Sequence, residues 1–358
     1  MRICFLADAA SIHTRRWCSH FAALGHEIHL ISFKNAEVEG ATLHYIDAGA
    51  IAVSGGNWKV LLQSRKISRV LRNIKPDVLH AHYATSYGIA GALAGYQPYV
   101  ITCLGSDVLI SPVQSRIIRI LLKLAFSRAN LVTVMADHMK IVATGLGLCK
   151  PEKIRVLPFG IDSAVFNSEQ RSLPGDRFVI TSTRNFEKVY NLPHLLKAVA
   201  KIKDQVSGIK LILIGDGTQR QQVEDMVREL GLDTFTEFKG KIPQPEISSI
   251  LQHSHIFVSV SRSDGNNVSL NEAMACGTYP VATRIPANTQ WINDGVNGSL
   301  IEIDDVGQLA AELLRVYHEY NTVAPLAAAE NSIIIRERAD WNHNMEAMMQ
   351  YYKELCRQ

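Results

Sequence analysis

Short unbroken apolar runs, rich in Val, Ile and Leu, alternate with helical patterns along the chain. Runs without polar alternation are typical of parallel strands buried on both faces, and their alternation with helices indicates a doubly wound sheet. The predicted strands are 3–7, 28–33, 78–82, 99–104, 131–135, 154–158, 178–183, 210–215, 235–240, 256–261 and 279–283. The pattern occurs twice, so we predict an α/β protein with two such sheets.

The pattern is interrupted after the strand that ends at Pro158. A polar stretch over residues 167–177, containing Pro174 and Gly175, has the composition of a linker. We predict a first domain over residues 1–166, a second over 177–330, and a C-terminal helical segment over 331–358, a candidate to pack back on the first domain. A length of 358 residues agrees with two domains.

Charge differs between the two halves. Residues 1–165 carry 18 Lys and Arg against 10 Asp and Glu, whereas the remainder carries 19 against 24. Residues 59–75 and 114–128 hold much of this excess and contain no acid. Such amphipathic basic segments suit an anionic membrane surface and a lipid-diphosphate acceptor. The alternative is that these helices pack on the sheet with their basic faces in water.

Several classes of protein are disfavoured. Six scattered cysteines without Cys-x-x-Cys spacing predict a reduced chain without a structural metal. A strand that begins at Ile3 leaves no room for a signal peptide, and the most apolar helical segment is too short to span a bilayer. Few aromatic residues accompany the basic ones, which argues against a nucleic-acid partner. We expect a cytoplasmic protein, with peripheral attachment at the inner face of the membrane as a further candidate.

Ligands of open parallel sheets bind beyond the carboxyl ends of the strands. The loop at residues 214–218 follows an apolar run, and Gly215 and Gly217 would let backbone amides approach a phosphate. A tight turn that binds nothing is the alternative for this loop.

A second loop follows the predicted strand 256–261. Asp264 to Asn267 predict a turn, and a helix begins near Val268. The amides of Asn267, Val268 and Ser269 would be free first-turn donors for a diphosphate. Glu272, about one turn further on, could accept two hydroxyls of a ribose. A capped helix with a solvated glutamate is the alternative.

Asp264 and Glu272, followed by Ala273-Met-Ala-Cys-Gly277 and Tyr279-Pro-Val281, resemble the signature of the retaining GT-B glycosyltransferases of family 4. Further matches lie at residues 154–162, 213–217, 238–240 and 293–301. The resemblance implies two Rossmann-like domains facing a cleft. It also implies transfer of a hexose or N-acetylhexosamine from a nucleotide-sugar, with UDP favoured, to a lipid-linked or cell-surface glycan precursor. No cofactor is implied, and no Asp-x-Asp metal site is present.

The resemblance also implies roles for single residues. Glu272 matches the ribose-binding carboxylate, Asp264 the carboxylate near the transferred sugar, and Arg184 the arginine that clamps the diphosphate. His82, at the end of a predicted strand, matches a histidine near the sugar. The other donor-side candidates are Gly215, Gly217, Lys188, Gly240, Ile242, Gly265, Asn266, Asn267, Val268 and Ser269. His13, Arg15 and Arg16 could face an anionic acceptor, or they could belong to an ordinary helix start.

The sequence departs from the family pattern at several positions. Asp264 replaces the usual glutamate, and the loop that usually reads Glu-Gly-Phe-Gly ends in Asn266 and Asn267. Tyr190 replaces the diphosphate-binding lysine, for which Lys188 is a candidate substitute, and a Thr-His-Gly motif reads Cys103-Leu-Gly105. Two alternatives stay open: a nucleotide-sugar 2-epimerase of the same fold, and a non-catalytic binder of anionic lipid.

Overall fold

A computed structural model describes residues 1–49 and 62–357. Its chain forms two compact units, Met1–Leu157 with Glu346–Gln358, and Pro158–Met345. We call them the N-terminal and the C-terminal domain. Each is built on a parallel sheet, as the alternating pattern predicts.

The N-terminal domain holds a seven-stranded parallel sheet in the order β3-β2-β1-β4-β5-β6-β7. The strands are β1 Arg2–Leu6, β2 Glu27–Ser32, β3 Ala41–Tyr45, β4 Val78–His82, β5 Tyr99–Cys103, β6 Leu131–Val134 and β7 Ile154–Val156. The helices are α1 Ile12–Ala23, α2 Ser64–Ile74, α3 Ile89–Ala94, α4 Ser106–Leu109, α5 Ser111–Gln114, α6 Arg116–Arg128 and α7 Asp137–Gly145. The central strands β4 and β5 are buried at every position, which explains their largely apolar sequences; His80, His82 and Thr102 are the polar exceptions.

The C-terminal domain holds a six-stranded parallel sheet in the order β10-β9-β8-β11-β12-β13. The strands are β8 Phe178–Ser182, β9 Ile209–Ile214, β10 Thr236–Gly240, β11 Ile256–Ser259, β12 Tyr279–Thr283 and β13 Ser299–Ile301. The helices are α8 Leu192–Ile202, α9 Arg220–Glu229, α10 Gln244–Gln252, α11 Val268–Ala275, α12 Pro286–Thr289, α13 Val306–Arg338 and α14 Trp341–Arg357. Apolar residues of α8, α9 and α13 cover one face, and those of α10 and α11 cover the other.

All eleven predicted strands are present, with ends within about two residues of the prediction. The sequence reading missed β3 and β13, which lie at the edges of the two sheets. Strand β3 is half-exposed and carries polar residues, and β13 has three residues. Exposure weakens the apolar signal of β3, whereas β13 is buried at all three positions and is too short to give a recognisable pattern.

The domain boundary lies at Leu157, nine residues before the predicted end at 166. Ile161 and Phe166 are buried in the C-terminal core, and the Ile161 amide donates to the Ala339 carbonyl (2.7 Å). The predicted segment 331–358 is also divided between the two domains. Its first residues form the end of α13, and the residues from Glu346 onward belong to the N-terminal domain. Among residues 1–49 and 62–357, no helix is both long and apolar enough to cross a membrane.

Candidate functional site

The guanidinium of Arg184 is the centre of a polar cluster at the carboxyl edge of the C-terminal sheet. Arg184 follows β8 and is 7% exposed. Its Nη2 donates to Oδ2 of Asp264 (2.6 Å), and its Nη1 donates to Oδ1 of Asn267 (2.8 Å). The ring of Tyr190 stacks on the guanidinium, 4.1 Å from ring centroid to Cζ. Three residues that depart from the family pattern therefore contact one side chain.

These contacts fix the orientation of the Arg184 guanidinium, but some of its N–H groups remain available to donate hydrogen bonds. A guanidinium has five N–H groups. Its Nε is buried and has no hydrogen-bond partner among the described residues. Asp264 offsets the positive charge at short range, so an incoming anion would share Arg184 with this carboxylate or displace it.

Asn267 joins the loop of residues 264–267 to the rest of the domain. Its Oδ1 also accepts from the amide of Leu270 (3.1 Å) and caps α11. Its Nδ2 donates to Oγ of Ser259 and to Oδ1 of Asn288, both at 2.9 Å. A glycine at this position would have none of these contacts, so the asparagine makes the loop more rigid.

One predicted free amide at the start of α11 has a partner. The amide of Val268 donates to the Asn266 carbonyl at 3.0 Å, so the prediction was wrong for this group. The turn before the helix brings that carbonyl back toward the first residue. Ser269, in the first turn, donates its Oγ to the Thr183 carbonyl (3.4 Å) and is half-buried.

Asn266 presents an unused donor beside this cluster. Its Oδ1 accepts from the indole Nε1 of Trp291 (2.8 Å) and from Nε2 of Gln290 (3.3 Å). An indole only donates, which fixes which side of the amide faces Trp291. The Nδ2 is buried and without a partner among the described residues. The neighbouring Gly265 is buried.

Glu272 lies on α11 and is 8% exposed. Separately from Glu272, three buried polar atoms at the end of β8, directly after it and on α11 have no hydrogen-bond partner within the described chain. They are Oγ of Ser182, Oγ1 of Thr183 and Nδ2 of Asn271. Each such group costs about 1–3 kcal/mol unless water or a ligand satisfies it. The concentration of these groups after β8 and on α11 is typical of a polar binding site.

The glycines at residues 215 and 217 have a structural reason. A Cβ at Gly215 would lie 2.6 Å from the Arg184 carbonyl oxygen, and one at Gly217 would lie 2.5 Å from the Phe186 carbonyl oxygen. The Gly215 amide donates to the Gly240 carbonyl (2.8 Å), and the Gly217 amide donates to Oδ1 of Asp216 (2.9 Å). These amides have protein acceptors, so the glycines serve the close approach of two loops.

The remaining donor-side candidates, Gly240, Ile242 and Lys188, have no side-chain hydrogen bond to Arg184 among the described residues. Gly240 ends β10 with φ +65°, and Ile242 packs against a small apolar cluster on β8 and β9. Lys188 begins the short 3₁₀ turn Lys188–Tyr190 and lines a cavity of about 390 Å³. Arg184, Asp264 and Glu272 do not line this cavity, so Tyr190, and not Lys188, accompanies Arg184.

In the N-terminal domain, His82 ends β4 and is 3% exposed. Trp17 packs against it at 4.8 Å between ring centroids, and neither ring nitrogen has a hydrogen-bond partner among the described residues. Burial, and then the nearby His13, lowers the pKa of His82 to about 3. Burial, and then Arg16, lowers the pKa of His13 to about 4, so both rings are neutral at neutral pH. Arg15 is exposed and donates its Nε to the Ala9 carbonyl (3.1 Å).

Sequence reasoning missed two buried polar residues near the carboxyl ends of β4 and β5 in the N-terminal domain. The Asp107 carboxylate accepts from the amides of Ala84 (2.7 Å) and Gly105 (2.8 Å), and so joins the loops after β4 and β5. An aspartate just after Gly105-Ser106 is a signal for such a loop. The second residue is His80, which lies on β4 two residues before His82. Its ring nitrogens lie within hydrogen-bond distance of Tyr352 Oη (2.5 Å) and Thr102 Oγ1 (2.6 Å).

Within residues 1–49 and 62–357, no group of three or more His, Cys, Asp or Glu side chains is placed to hold a metal ion. The Arg184 cluster supplies a cation and hydrogen-bond donors of its own. Independence from metal stays a prediction.

Comparisons with known proteins were made on the sequence and on the fold. Residues 2–136 match the family described as glycosyl transferase 4-like, and residues 165–331 match the glycosyl transferases group 1. N-acetyl-alpha-D-glucosaminyl L-malate synthase of Bacillus anthracis is 28% identical over 316 residues, which cover 82% of this chain and 81% of that protein.

Solved structures share the fold. Sucrose-phosphate synthase from Thermosynechococcus elongatus superposes with a TM-score of 0.83 at 19% identity, over 99% of both chains. HepE of Anabaena, solved with UDP and glucose, gives 0.81 at 17% identity, over 99% of this chain and 100% of that one. Both domains thus have the GT-B type of Rossmann-like topology.

Proposed function

This chain belongs to the group 1 glycosyltransferases, and we propose that it moves a hexose or N-acetylhexosamine from a UDP-sugar to a hydroxyl acceptor. We further propose that the sugar keeps its anomeric configuration. A lipid-linked or cell-surface glycan precursor is the proposed acceptor. The choice of UDP is supported by HepE, which was solved with UDP and with UDP-glucose.

The observation that carries the proposal is the buried Arg184, held beside the start of α11 by Asp264 and Asn267. Breaking the bond between the anomeric carbon and the diphosphate leaves negative charge on the departing oxygen. Arg184 offers its Nε–H and the remaining Nη hydrogens to that charge, and helix-start amides add positive potential. Glu272 then accepts hydroxyls of the nucleotide ribose.

Asp264 and Asn266 stand on the sugar side of the proposed site. As the diphosphate leaves, the anomeric carbon develops positive charge, which the carboxylate of Asp264 stabilises. In front-face attack, the acceptor hydroxyl bonds to this carbon, and its proton passes to the leaving diphosphate oxygen. In the N-terminal domain, His82 is neutral at physiological pH, so a hydroxyl that binds there is held by hydrogen bonding without added charge.

The acceptor proposal rests on the surface of α4 to α6 in the basic domain. Ile110, Val113, Ile117 and Ile120 are exposed there, beside the basic residues of α6. An apolar ridge flanked by cations suits the headgroup region of an anionic bilayer. Of the other predicted basic segment, α2 carries Arg65, Lys66, Arg69 and Arg72, while residues 59–61 lie outside the described chain.

The membrane proposal is tested by sedimentation with vesicles that contain anionic lipid. Ile117→Asp with Ile120→Asp should weaken binding about tenfold or more, because the ridge no longer inserts. Ile141→Asp, at an exposed position on α7, is the control and should bind normally. Wild-type protein that ignores such vesicles at low salt would disprove the membrane proposal.

The donor proposal is tested by calorimetry with UDP-, GDP- and ADP-sugars. Glu272→Ala should weaken donor binding, whereas Arg184→Ala should chiefly slow transfer, by about 100-fold. Arg177→Ala, whose only recorded ion pair among the described residues is with its neighbour Asp176, is the control. Unchanged kinetics in both site variants would contradict the site. An isomerised nucleotide-sugar without transfer would favour the epimerase alternative.

A small carboxylate is a second candidate acceptor. The Bacillus anthracis relative is named for transfer to L-malate, and the basic N-terminal half suits an anionic molecule. Incubating the enzyme with UDP-N-acetylglucosamine and malate, followed by mass spectrometry, would distinguish this acceptor from a lipid extract.

A further inference from the structure

The cavity beside Lys188 is separate from the residues proposed to hold the donor. It has a volume of about 390 Å³ and lies within the C-terminal domain. Its lining comes from the turn after β8, the first turns of α8 and α9, and the loops after β11 and β13. Its charged side chains are Lys188, Lys197, Arg262 and Asp304.

The charge balance of this cavity is positive. Arg262 donates its Nε (3.2 Å) and its Nη2 (2.8 Å) to the two carboxylate oxygens of Asp304. Asn191 donates to the same carboxylate at 2.9 Å. The acid is thereby neutralised, and Lys188 and Lys197 have no ion pair within the described chain. Two uncompensated cations thus share one concave surface.

Helix starts add to this potential. Asn191 precedes α8 and Gln219 precedes α9, both residues line the cavity, and neither caps its helix with its side chain. Pro193 has no amide hydrogen, and the amides of His194 and Arg220 donate to the carbonyls of Asn191 (2.9 Å) and Gly217 (3.1 Å). The two helix starts therefore contribute chiefly through the positive ends of their dipoles, which attract anions.

His194, in the first turn of α8, is 6% exposed, and its Nε2 has no hydrogen-bond partner among the described residues. Its Nδ1 lies 3.9 Å from Oδ1 of Asp304. A buried ring nitrogen without a hydrogen-bond partner is a second sign that a ligand or water completes the site.

We propose that this cavity binds the phosphate group of a phosphorylated small molecule. A phosphate dianion would match two lysines and two helix starts, and the volume accommodates a sugar phosphate. The proposal does not depend on the identity of the donor. It gives Lys188 a ligand other than the donor diphosphate.

The cavity is physically connected to Arg184. Lys188 and Tyr190 belong to one 3₁₀ turn, and Tyr190 stacks on Arg184. The Arg262 amide donates to the Val189 carbonyl (2.8 Å) in the middle of that turn. A phosphate held by Lys188 would therefore fix the turn and, through Tyr190, the guanidinium.

The test is calorimetric titration with inorganic phosphate and with ribose 5-phosphate, in the presence of excess UDP. Lys188→Ala with Lys197→Ala should weaken binding by about tenfold or more. Lys201→Ala, at an exposed position on the same helix outside the cavity, should bind as the wild type does. Tighter binding of ribose 5-phosphate identifies an organic phosphate as the ligand, and equal binding identifies free phosphate.

The proposal is overturned if wild-type protein takes up neither probe, if the double variant binds as well as wild type, or if UDP abolishes binding of phosphate. A chain that binds phosphate but no nucleotide or nucleotide-sugar would disprove the donor proposal and leave the phosphate site intact. The two failures are thus distinguishable.

Discussion

At the scale of single residues, the surroundings of Arg184 determine the electrostatics of the candidate site. At the position where the family resemblance led us to expect a lysine, this chain has Tyr190, which offers an aromatic face instead of a charge. Asp264 adds a negative charge at 2.6 Å from the guanidinium. The net charge of the cluster is therefore close to zero before a donor binds. Stacking of Tyr190 makes the Arg184 side chain more rigid, whereas a lysine at this position would have attracted an anionic donor.

Changing Tyr190 tests whether this rigidity matters. Tyr190→Ala should lower kcat/KM for the nucleotide-sugar by about fivefold, because a cation–π contact is worth roughly 1 kcal/mol. Tyr190→Phe keeps the stacked ring and should stay close to wild type. Equal activity of all three proteins in steady-state assays would mean that the stacking is irrelevant to transfer.

His82 predicts a pH dependence of stability. An unfolded histidine has a pKa of 6.5, whereas that of folded His82 is about 3. The unfolded chain then binds more protons as pH falls below 6.5, so stability decreases with acidity. Between pH 7 and pH 5 this single group should cost about 2 kcal/mol of unfolding free energy.

Urea unfolding at several pH values checks this expectation. His82→Gln should reduce the loss of unfolding free energy between pH 7 and pH 5 by that amount. Replacement of the exposed His343 by Gln should leave the dependence of unfolding free energy on pH unchanged. A slope that is the same in His82→Gln and in wild type would show that His82 is already protonated in the fold.

At the scale of elements, Arg171 attaches the polar stretch of residues 167–177, which was predicted as a linker, to the C-terminal sheet. Its Nη2 donates to the Ser254 carbonyl (3.0 Å) and to Tyr320 Oη (2.7 Å). Its Nη1 lies 3.3 to 3.4 Å from the carbonyls at the ends of α10 and α11. A cation at two helix carboxyl ends is favourable for both dipoles. Through Arg171, a stretch with linker composition is therefore held against the C-terminal domain.

Arg171→Ala should destabilise the C-terminal domain by about 3 kcal/mol, because several carbonyls lose a charged donor. Arg171→Lys should rescue little, since an ammonium cannot reach the same set of acceptors. Thermal unfolding measures the effect, and Arg177→Ala should change it by less than about 0.5 kcal/mol. A loss for Arg171→Ala no larger than that control would contradict the anchoring role.

At the scale of the whole molecule, the end of the chain returns to the beginning. Residues from Glu346 onward count with the N-terminal domain, although α14 starts in the C-terminal one. Tyr352 is fully buried, packs on Phe21 at 5.7 Å between ring centroids, and hydrogen-bonds to His80. The N-terminal domain is thus completed only when the last helix has been made.

Tyr352→Ala should destabilise the N-terminal domain by about 4 kcal/mol through cavity formation, and Tyr352→Phe by about 1 kcal/mol through loss of the hydroxyl. Hydrogen exchange of β1 and β4 amides would report the change domain by domain. If Tyr352→Ala left that exchange as slow as in wild type, the last helix would not be part of this core.

The sequence by itself determined the two parallel sheets, because strands buried on both faces must be apolar throughout. It also directed attention to the loop between Asp264 and Glu272 as the candidate donor site, since parallel topology places such loops at the carboxyl edge. Edge strand β3 escaped detection because partial exposure leaves its composition free to vary, and β13 because a strand of three residues is too short to give a pattern.

The tertiary structure decided which side chains meet. Tyr190 and Lys188 are two residues apart, yet one covers Arg184 and the other lines a separate cavity, because a 3₁₀ turn sends them to different sides. The partners of Arg184 are separated from it by about 80 residues, at Asp264 and Asn267. Contacts across such distances depend on how strands are ordered in the sheet, which local residue patterns do not specify.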